Sequence, residues 1–286
     1  MGNKLKEVVI VGAARTPIGT YKGSLKEIRA DQLGSIVIKE VLKKSNFKEE
    51  EIDEVIMGQV LTAGNGQNPA RQAAINAGIN VSKPAHIVNQ VCGSGLRAVI
   101  SGYQSIKLGE AKNVISGGQE NMSLAPHSIF YRDNKKISEK NLIDTMINDG
   151  LIDAFNNYHM GVTAENVAKK FNISRVDQDD FALNSQKKTE TAINTNRFEE
   201  ELIKINQSGI NLDIDEHPRK DLSKSDLERL KAVFLKDGTV TPGNSSGIND
   251  GAAALLLTTL KEAKKKSIQP LVKIVLWASV GVDPIL

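Results

Sequence analysis

Cysteine is almost absent from this chain: Cys92 is the only one in 286 residues. A single thiol supports no intramolecular disulfide framework and no cysteine-built zinc or iron–sulfur site, and it points to a reducing compartment. An excess of one charge is also missing. The 37 basic and 34 acidic residues nearly cancel, whereas a nucleic-acid binder wants basic side chains gathered on one face. No run approaches the ~18 apolar residues of a membrane span. The first apolar run, Val8 to Ala14, is too short for a secretory signal and runs directly into Arg15 and Pro17. These absences predict a cytoplasmic chain with neither a membrane nor a nucleic-acid partner. Internal repeats and low-complexity tracts are lacking too. What remains is ordinary globular composition, 40% apolar with 23 glycines, in a length suited to about two domains of ~100–200 residues.

Hydrophobic patterning places the elements. Val8–Ala13 is a continuous apolar run and reads as a buried strand. Asp31 is positioned to cap a helix whose apolar residues Leu33, Ile36, Val37 and Val41 fall on one face. Glu54–Leu61 and Ala85–Val91 read as strands. A second helical stripe follows at Leu96, Val99, Ile100, Tyr103 and Ile106, ended by Gly109, and Asn113–Ser116 is a strand closed by Gly117-Gly118. Strands alternating with helices predict an α/β fold with parallel βαβ units and a sheet covered on both faces. Residues 123–160, with Lys135, Lys136 and Lys140, read as loops. Ser174 and Asp177 form a capping box opening a helix towards Asn196. Residues 206–245 are again loop-rich, before strand-like runs at Ala252–Leu257 and Leu271–Val282.

The chemistry centres on Cys92, which lies where a strand ends and a helix begins. Flanking glycines permit a tight turn, and a thiol at a helix N-terminus meets unpaired N–H groups and the positive dipole end. The arrangement is that of a nucleophile elbow with cysteine in place of serine. A small buried hydrophobe is the competing reading from context alone. A nicotinamide-binding turn after Gly12 is a poor fit, because Gly12-Ala13-Ala14-Arg15-Thr16-Pro17 lacks the remaining glycines.

Asn89-Gln90-Val91-Cys92-Gly93-Ser94-Gly95-Leu96 resembles the acyl-enzyme motif of the thiolases. Ala14-Arg15-Thr16-Pro17-Ile18-Gly19, Gly66-Gln67-Asn68-Pro69-Ala70-Arg71-Gln72 and Ser116-Gly117-Gly118-Gln119-Glu120-Asn121-Met122-Ser123 resemble further motifs of that family. So do His159-Met160-Gly161-Val162-Thr163-Ala164-Glu165-Asn166 and Gly243-Asn244-Ser245-Ser246-Gly247-Ile248-Asn249-Asp250-Gly251, all in the family's order. The resemblance implies a layered thiolase-like α/β fold. Residues 1–121 with 250–270 would form the N-terminal domain, 122–249 an inserted loop domain for coenzyme A binding and oligomerisation, and 271–286 the first strand of a C-terminal domain. It implies an acyl-CoA acyltransferase of the acetoacetyl-CoA type, in which Cys92 becomes acylated and the acyl group joins a second acetyl-CoA, or the reverse. Coenzyme A thioesters are then substrates, and no further cofactor or metal is implied. His159 and Met160 match the pair lining the pantetheine channel of short-chain members. Leu151, Phe234, Ser246 and Ile248 match other positions around coenzyme A, and Arg219 matches an arginine near the nucleotide. Asp226, Leu227 and Pro242 depart from the pattern. A homo-oligomer, dimer or tetramer, is the family's habit.

The resemblance also implies residues that this sequence lacks. Thiolases supply a Gly-His-Pro histidine and a second cysteine from a C-terminal half. Here the histidines are His86, His127, His159 and His217, none in that context, and no second cysteine exists. The expectation is a truncated thiolase, inactive or strongly impaired alone, either one completed by a separate C-terminal chain or a truncated gene product. A non-catalytic module that binds coenzyme A or oligomerises is the alternative.

Overall fold

The structure, a computed structural model, describes residues 6–132, 138, 141–207 and 209–286. Residues 1–5, Lys135, Lys136 and Lys140 lie outside the described residues. The chain opens with β1 (Val8–Arg15), a short β2 (Gly19–Thr20) and α1 (Ala30–Ser45). Next come β3 (Glu54–Gly58), α2 (Pro69–Asn76), β4 (Ala85–Val88), α3 (Ser94–Leu108) and β5 (Val114–Asn121). The middle of the chain carries β6 (His127–Ser128), β7 (Ile143–Asp144), α4 (Thr145–Gly150), α5 (Met160–Phe171) and α6 (Arg175–Asn194). A hairpin of β8 (Ile205–Gln207) and β9 (Ile210–Leu212) and the short α7 (Lys224–Glu228) precede β10 (Asn249–Thr259), α8 (Leu260–Lys265) and β11 (Val272–Lys273).

The main sheet runs β11-β1-β10-β5-β3-β4, with β2 pairing β10. Side chains of successive residues part to opposite faces. Val9 and Val11 join the core beneath α1 and α2, whereas Val8 and Ile10 join the core beneath α3. A strand covered on both faces has no polar side, which is why Val8–Val11 reads as an unbroken apolar run. Each fully buried side chain such as Ile56, Ile115, Leu256 or Leu257 contributes about 1.5–3 kcal/mol.

Several expectations change. The sheet is mixed: β3 is parallel to β4 and β5, but β10 is antiparallel to β1 and β5, and β11 is antiparallel to β1. Two-sided burial explains the apolar runs without setting strand direction. Gly117 and Gly118 do not close a strand; they lie within β5, opposite Ala254 and Ala253 of β10. The strand at Glu54–Leu61 ends at Gly58, and that at Ala85–Val91 ends at Val88. Arg29, not Asp31, is the N-cap of α1, and Asp31 sits in its first turn. Along α3 most of the predicted stripe is covered, with Ile100 and Ile106 buried and Val99 and Tyr103 packed against the core, but Leu96 is 70% exposed and the buried face also takes in Ser94, Ala98, Gly102 and Ser105. The loop-like region 123–160 contains β6, β7 and α4. Only Val272–Lys273 of the last apolar run pairs into the sheet, and Val275, Leu276, Val280 and Val282 are exposed. The capping box at α6 is formed, with Ser174 N donating to Asp177 Oδ2 at 2.9 Å and Asp177 N donating to Ser174 Oγ at 3.1 Å.

Candidate active site

The turn carrying Cys92 is held by its neighbours rather than by the thiol. Val91 N donates to Asn89 Oδ1 at 2.9 Å, and Gln90 N donates to Ser94 Oγ at 2.8 Å. Ser94 Oγ in turn donates to Val91 O at 2.5 Å. These bonds hold Val91 at φ 48°, a left-handed conformation that a β-branched residue adopts only under constraint, at about 1–3 kcal/mol. A strained turn between a strand and a helix is the backbone pattern of a nucleophile elbow. Cys92 is exposed and unbonded to any other cysteine. The helix end is less open than its sequence implies: Gly93 N and Ser94 N already donate to Gln90 O and Val91 O, at 3.1 and 3.0 Å.

The turn is placed by a close backbone contact. A Cβ at Gly58, the last residue of β3, would stand 2.4 Å from the carbonyl carbon of Ser94 and 2.5 Å from Gly95 N. The first turn of α3 therefore rests directly on the end of β3, an approach open only to glycine.

Cys92 opens onto a cavity of about 470 Å³. Its walls come from the ends of β3 and β5, the start of α3, and the chain around β10. Gly58, Val60, Gly95, Gly118, Met122 and Ala253 provide apolar or backbone surface, and Leu151 and Ser246 border it from the middle of the chain. Two acidic residues also line it. The Glu120 carboxylate accepts from Val60 N at 2.8 Å and Leu61 N at 3.3 Å. Burial nevertheless pushes its pKa up to about 7, with Asp250 nearby adding to the rise. Asp250 accepts from Ser123 Oγ at 2.6 Å and Ser123 N at 3.0 Å, yet burial raises it above the usual carboxylate range. Arg15, the one cation on the wall among the described residues, is spent elsewhere: it pairs with Asp215 at 2.7 and 3.0 Å and with Glu201 at 2.6 Å.

The residues predicted to bind coenzyme A divide into groups. Leu151 and Ser246 share the cavity with Cys92. His159 and Phe234 stack at 4.7 Å between ring centroids, with an interplanar angle of 22°. His159 also caps α5, its Nδ1 accepting from Gly161 N at 3.0 Å. Met160, half-exposed, joins this group to Leu151 through a 2.8 Å bond from Met160 N to Leu151 O. Ile248 is half-buried between Gly247 and Asn249, which both line the cavity. Arg219 is exposed and stands apart from the cavity, its backbone N donating to Gln186 Oε1 at 3.0 Å. Of the departures from the motif pattern, Asp226 completes the capping box of α7 with Ser223 and Leu227 is buried, so both serve local structure.

Gly58, Glu120 and Asp250 did not stand out as site residues in the sequence. A glycine ending a strand is a signal of close approach, and the acidic pair sat within quoted motifs, among small residues of apolar strands. Among the described residues no cluster of three or more His, Cys, Asp or Glu side chains is arranged to hold a metal, and no helix is long and apolar enough to cross a membrane.

Known proteins are similar to this chain in sequence. Residues 8–261 match the family described as Thiolase, N-terminal domain. A protein of Rhizobium meliloti (strain 1021) named acetyl-CoA acetyltransferase is 50% identical over 281 residues, covering 97% of this chain and 72% of that protein. Its namesake from Paracoccus denitrificans is 48% identical over 284 residues, with 98% and 73% covered. A Rattus norvegicus protein named acetyl-CoA acetyltransferase, cytosolic, is 47% identical over 283 residues, with 97% and 71% covered. With a domain match across most of its length and relatives aligned nearly from end to end, the chain belongs to the thiolase family.

Proposed function

We propose that the protein is an acyl-CoA acyltransferase that takes acetyl-CoA and acetoacetyl-CoA, with Cys92 as acyl acceptor. The observation that carries this is the exposed thiol on a strained strand-to-helix turn at the mouth of an apolar-walled cavity, in a thiolase chain. In the first half-reaction the Cys92 sulfur attacks the thioester carbonyl. The carbon–sulfur bond to coenzyme A breaks, and the thiol proton ends on the released coenzyme A. Thioester exchanged for thioester leaves the step near balance and divides a hard condensation into two easier ones. The backbone N–H of Cys92 serves as one oxyanion donor. Leu151, His159, Met160, Phe234, Ser246 and Ile248 border the path of pantetheine, and Arg219 contacts the nucleotide end. The 122–249 segment carries most of these residues and is the coenzyme A-binding and oligomer-forming unit of a homo-oligomer.

The second half-reaction needs a base for the α-proton of the incoming acetyl-CoA. The 286 residues hold no second cysteine and no Gly-His-Pro histidine, and they span 72% of the length of the Rhizobium relative. We infer that base and histidine come from outside these residues, and that the exposed run Val275–Val282 with Leu96 on α3 is where that part packs. By themselves the 286 residues would acylate Cys92 without condensing. Incubation with acetyl-CoA followed by intact mass analysis tests the reading: a single acetyl adduct, lost in Cys92→Ala, is expected. Absence of any adduct while coenzyme A still binds favours the second reading, a non-catalytic binding and oligomerisation module.

A further inference from the structure

Ser246 and Gly247 border the Cys92 cavity, yet both are exposed and neither is tied down where it stands. Among the described residues no hydrogen bond reaches 245–248, and the His217 ring packs on Gly247 without bonding to it. This stretch of the wall is strung between two anchors. On one side Asn249 Nδ2 donates to Gly19 O at 2.9 Å, and Asn249 starts β10 in the sheet. On the other side stands Asn244, whose single amide makes three bonds. Its Oδ1 accepts from Thr241 N at 2.7 Å, and its Nδ2 donates to Asp179 Oδ1 at 2.9 Å and to Thr239 O at 3.1 Å.

Asp179 ties that amide to the helices. It lies on α6, 2% exposed, and its second oxygen accepts from Arg175 Nε at 2.7 Å. The Arg175 guanidinium also donates to Leu227 O and Leu230 O, at 2.7 and 2.9 Å. A carboxylate taken this far out of water is tolerated because its oxygens are hydrogen-bonded. Glu165 grips Thr239 and Val240 further up the chain, so the bond from Asp179 to Asn244 is the last side-chain anchor before Ser246.

We propose that Asp179 is a positioning residue for coenzyme A: by holding the Asn244 amide, it fixes the end from which Ser246 and Gly247 reach the cavity. The role rests on the reading of that cavity as the coenzyme A thioester site, and Asp179 itself touches no substrate. A wall displaced by about 1 Å costs on the order of 10- to 100-fold in an interaction that depends on its place. The coupling is reciprocal. If releasing Asn244 weakens coenzyme A by that factor, saturating coenzyme A makes the release rarer by the same factor. Thr241 N–H reports the release, because its acceptor is Asn244 Oδ1.

The test uses the full chain and free coenzyme A. In the wild type, saturating coenzyme A should slow hydrogen exchange at Thr241 N about 10- to 100-fold and leave Thr195 N, at the far end of α6, unchanged. Titration calorimetry should show Kd rising by the same factor in Asp179→Asn and in Asn244→Ala. The double variant should bind no more weakly than the weaker single one, since both break one bond. Iodoacetamide should alkylate Cys92 at the wild-type rate in each variant, whereas general loosening would raise that rate. A coenzyme A-bound wild type with unchanged Thr241 exchange overturns the proposal, whether or not the variants fold. Folded variants with wild-type Kd, additive losses or faster alkylation overturn it too. With acetyl-CoA, the half-saturating concentration for acylation should rise in the variants while the limiting rate holds. A wild type that binds coenzyme A without being acylated sinks the acyl-acceptor reading, and exchange and Kd still decide the role of Asp179. A wild type that does not bind coenzyme A overturns both.

Discussion

Gly58→Ala is the substitution that links the fold to Cys92 most directly. The added methyl would stand 2.4 Å from Ser94 C, 2.5 Å from Gly95 N and 2.7 Å from Ser94 O. Ordinary contact begins near 3.4 Å, so β3 and the start of α3 must part by about 1 Å. All three neighbours are backbone, and no rotamer change relieves them. Overpacking of this kind costs about 1–3 kcal/mol, and here the cost falls on the turn that orients Cys92. A nucleophile displaced by about 1 Å loses on the order of 100-fold in a reaction that depends on its position. Gly281→Ala is the control, since no atom lies within 4 Å of its built Cβ. Urea unfolding would read the stability, and acylation of Cys92 by acetyl-CoA, followed by mass, the position. A Gly58→Ala chain with wild-type midpoint and wild-type acylation would refute the claim that β3 seats the nucleophile turn.

Glu120→Gln tests the same cavity through stability. The folded-state pKa is raised from 4.5 to about 7, so folding favours the protonated carboxyl. The stabilisation that follows is full below pH 4.5 and lost as pH rises through 7, a change of about 3 kcal/mol at 1.36 kcal/mol per unit. Urea midpoints at pH 5 and pH 8 should therefore show the variant gaining on the wild type at the higher pH. Glu165→Gln attacks the support of the 239–244 segment, because the buried carboxylate accepts from Thr239 N and Val240 N at 2.7 Å and from Thr239 Oγ1 at 2.8 Å. A loss of about 2–4 kcal/mol is expected from bonds to a buried charge, read by thermal or urea unfolding. Ser94→Ala removes two of the three side-chain bonds that hold the Cys92 turn, and should cost about 1–3 kcal/mol while raising hydrogen exchange at Gln90 N.

What the sequence disclosed follows from the range of the interactions involved. The capping box of α6 and the strand-turn-helix around Cys92 depend on residues a few positions apart, and both are formed. The buried run of β1 is also a local signal, since two-sided burial leaves no polar alternation. Strand direction is not local: β1 is antiparallel to β10 because the chain returns to the sheet more than 200 residues later, after the middle segment. On α3 the stripe was legible at Ile100 and Ile106 but not at its start, where the close approach to β3 selects small residues, so Ala98, Gly102 and Ser105 are buried while Leu96 faces outward. Glu120 was hidden for a related reason. A lone acid in a strand motif reads as an exposed residue until the β10 register sets Asp250 beside it and the Val60–Leu61 backbone above it.

The central claim is that Cys92 accepts an acyl group. Acetyl-CoA labelled in its acetyl carbon, incubated with the 286-residue chain and followed by peptide mass mapping, tests it without requiring condensation. The account predicts label on the peptide containing Cys92, released by hydroxylamine and absent from Cys92→Ala. Label confined to lysines and unchanged in Cys92→Ala would contradict it.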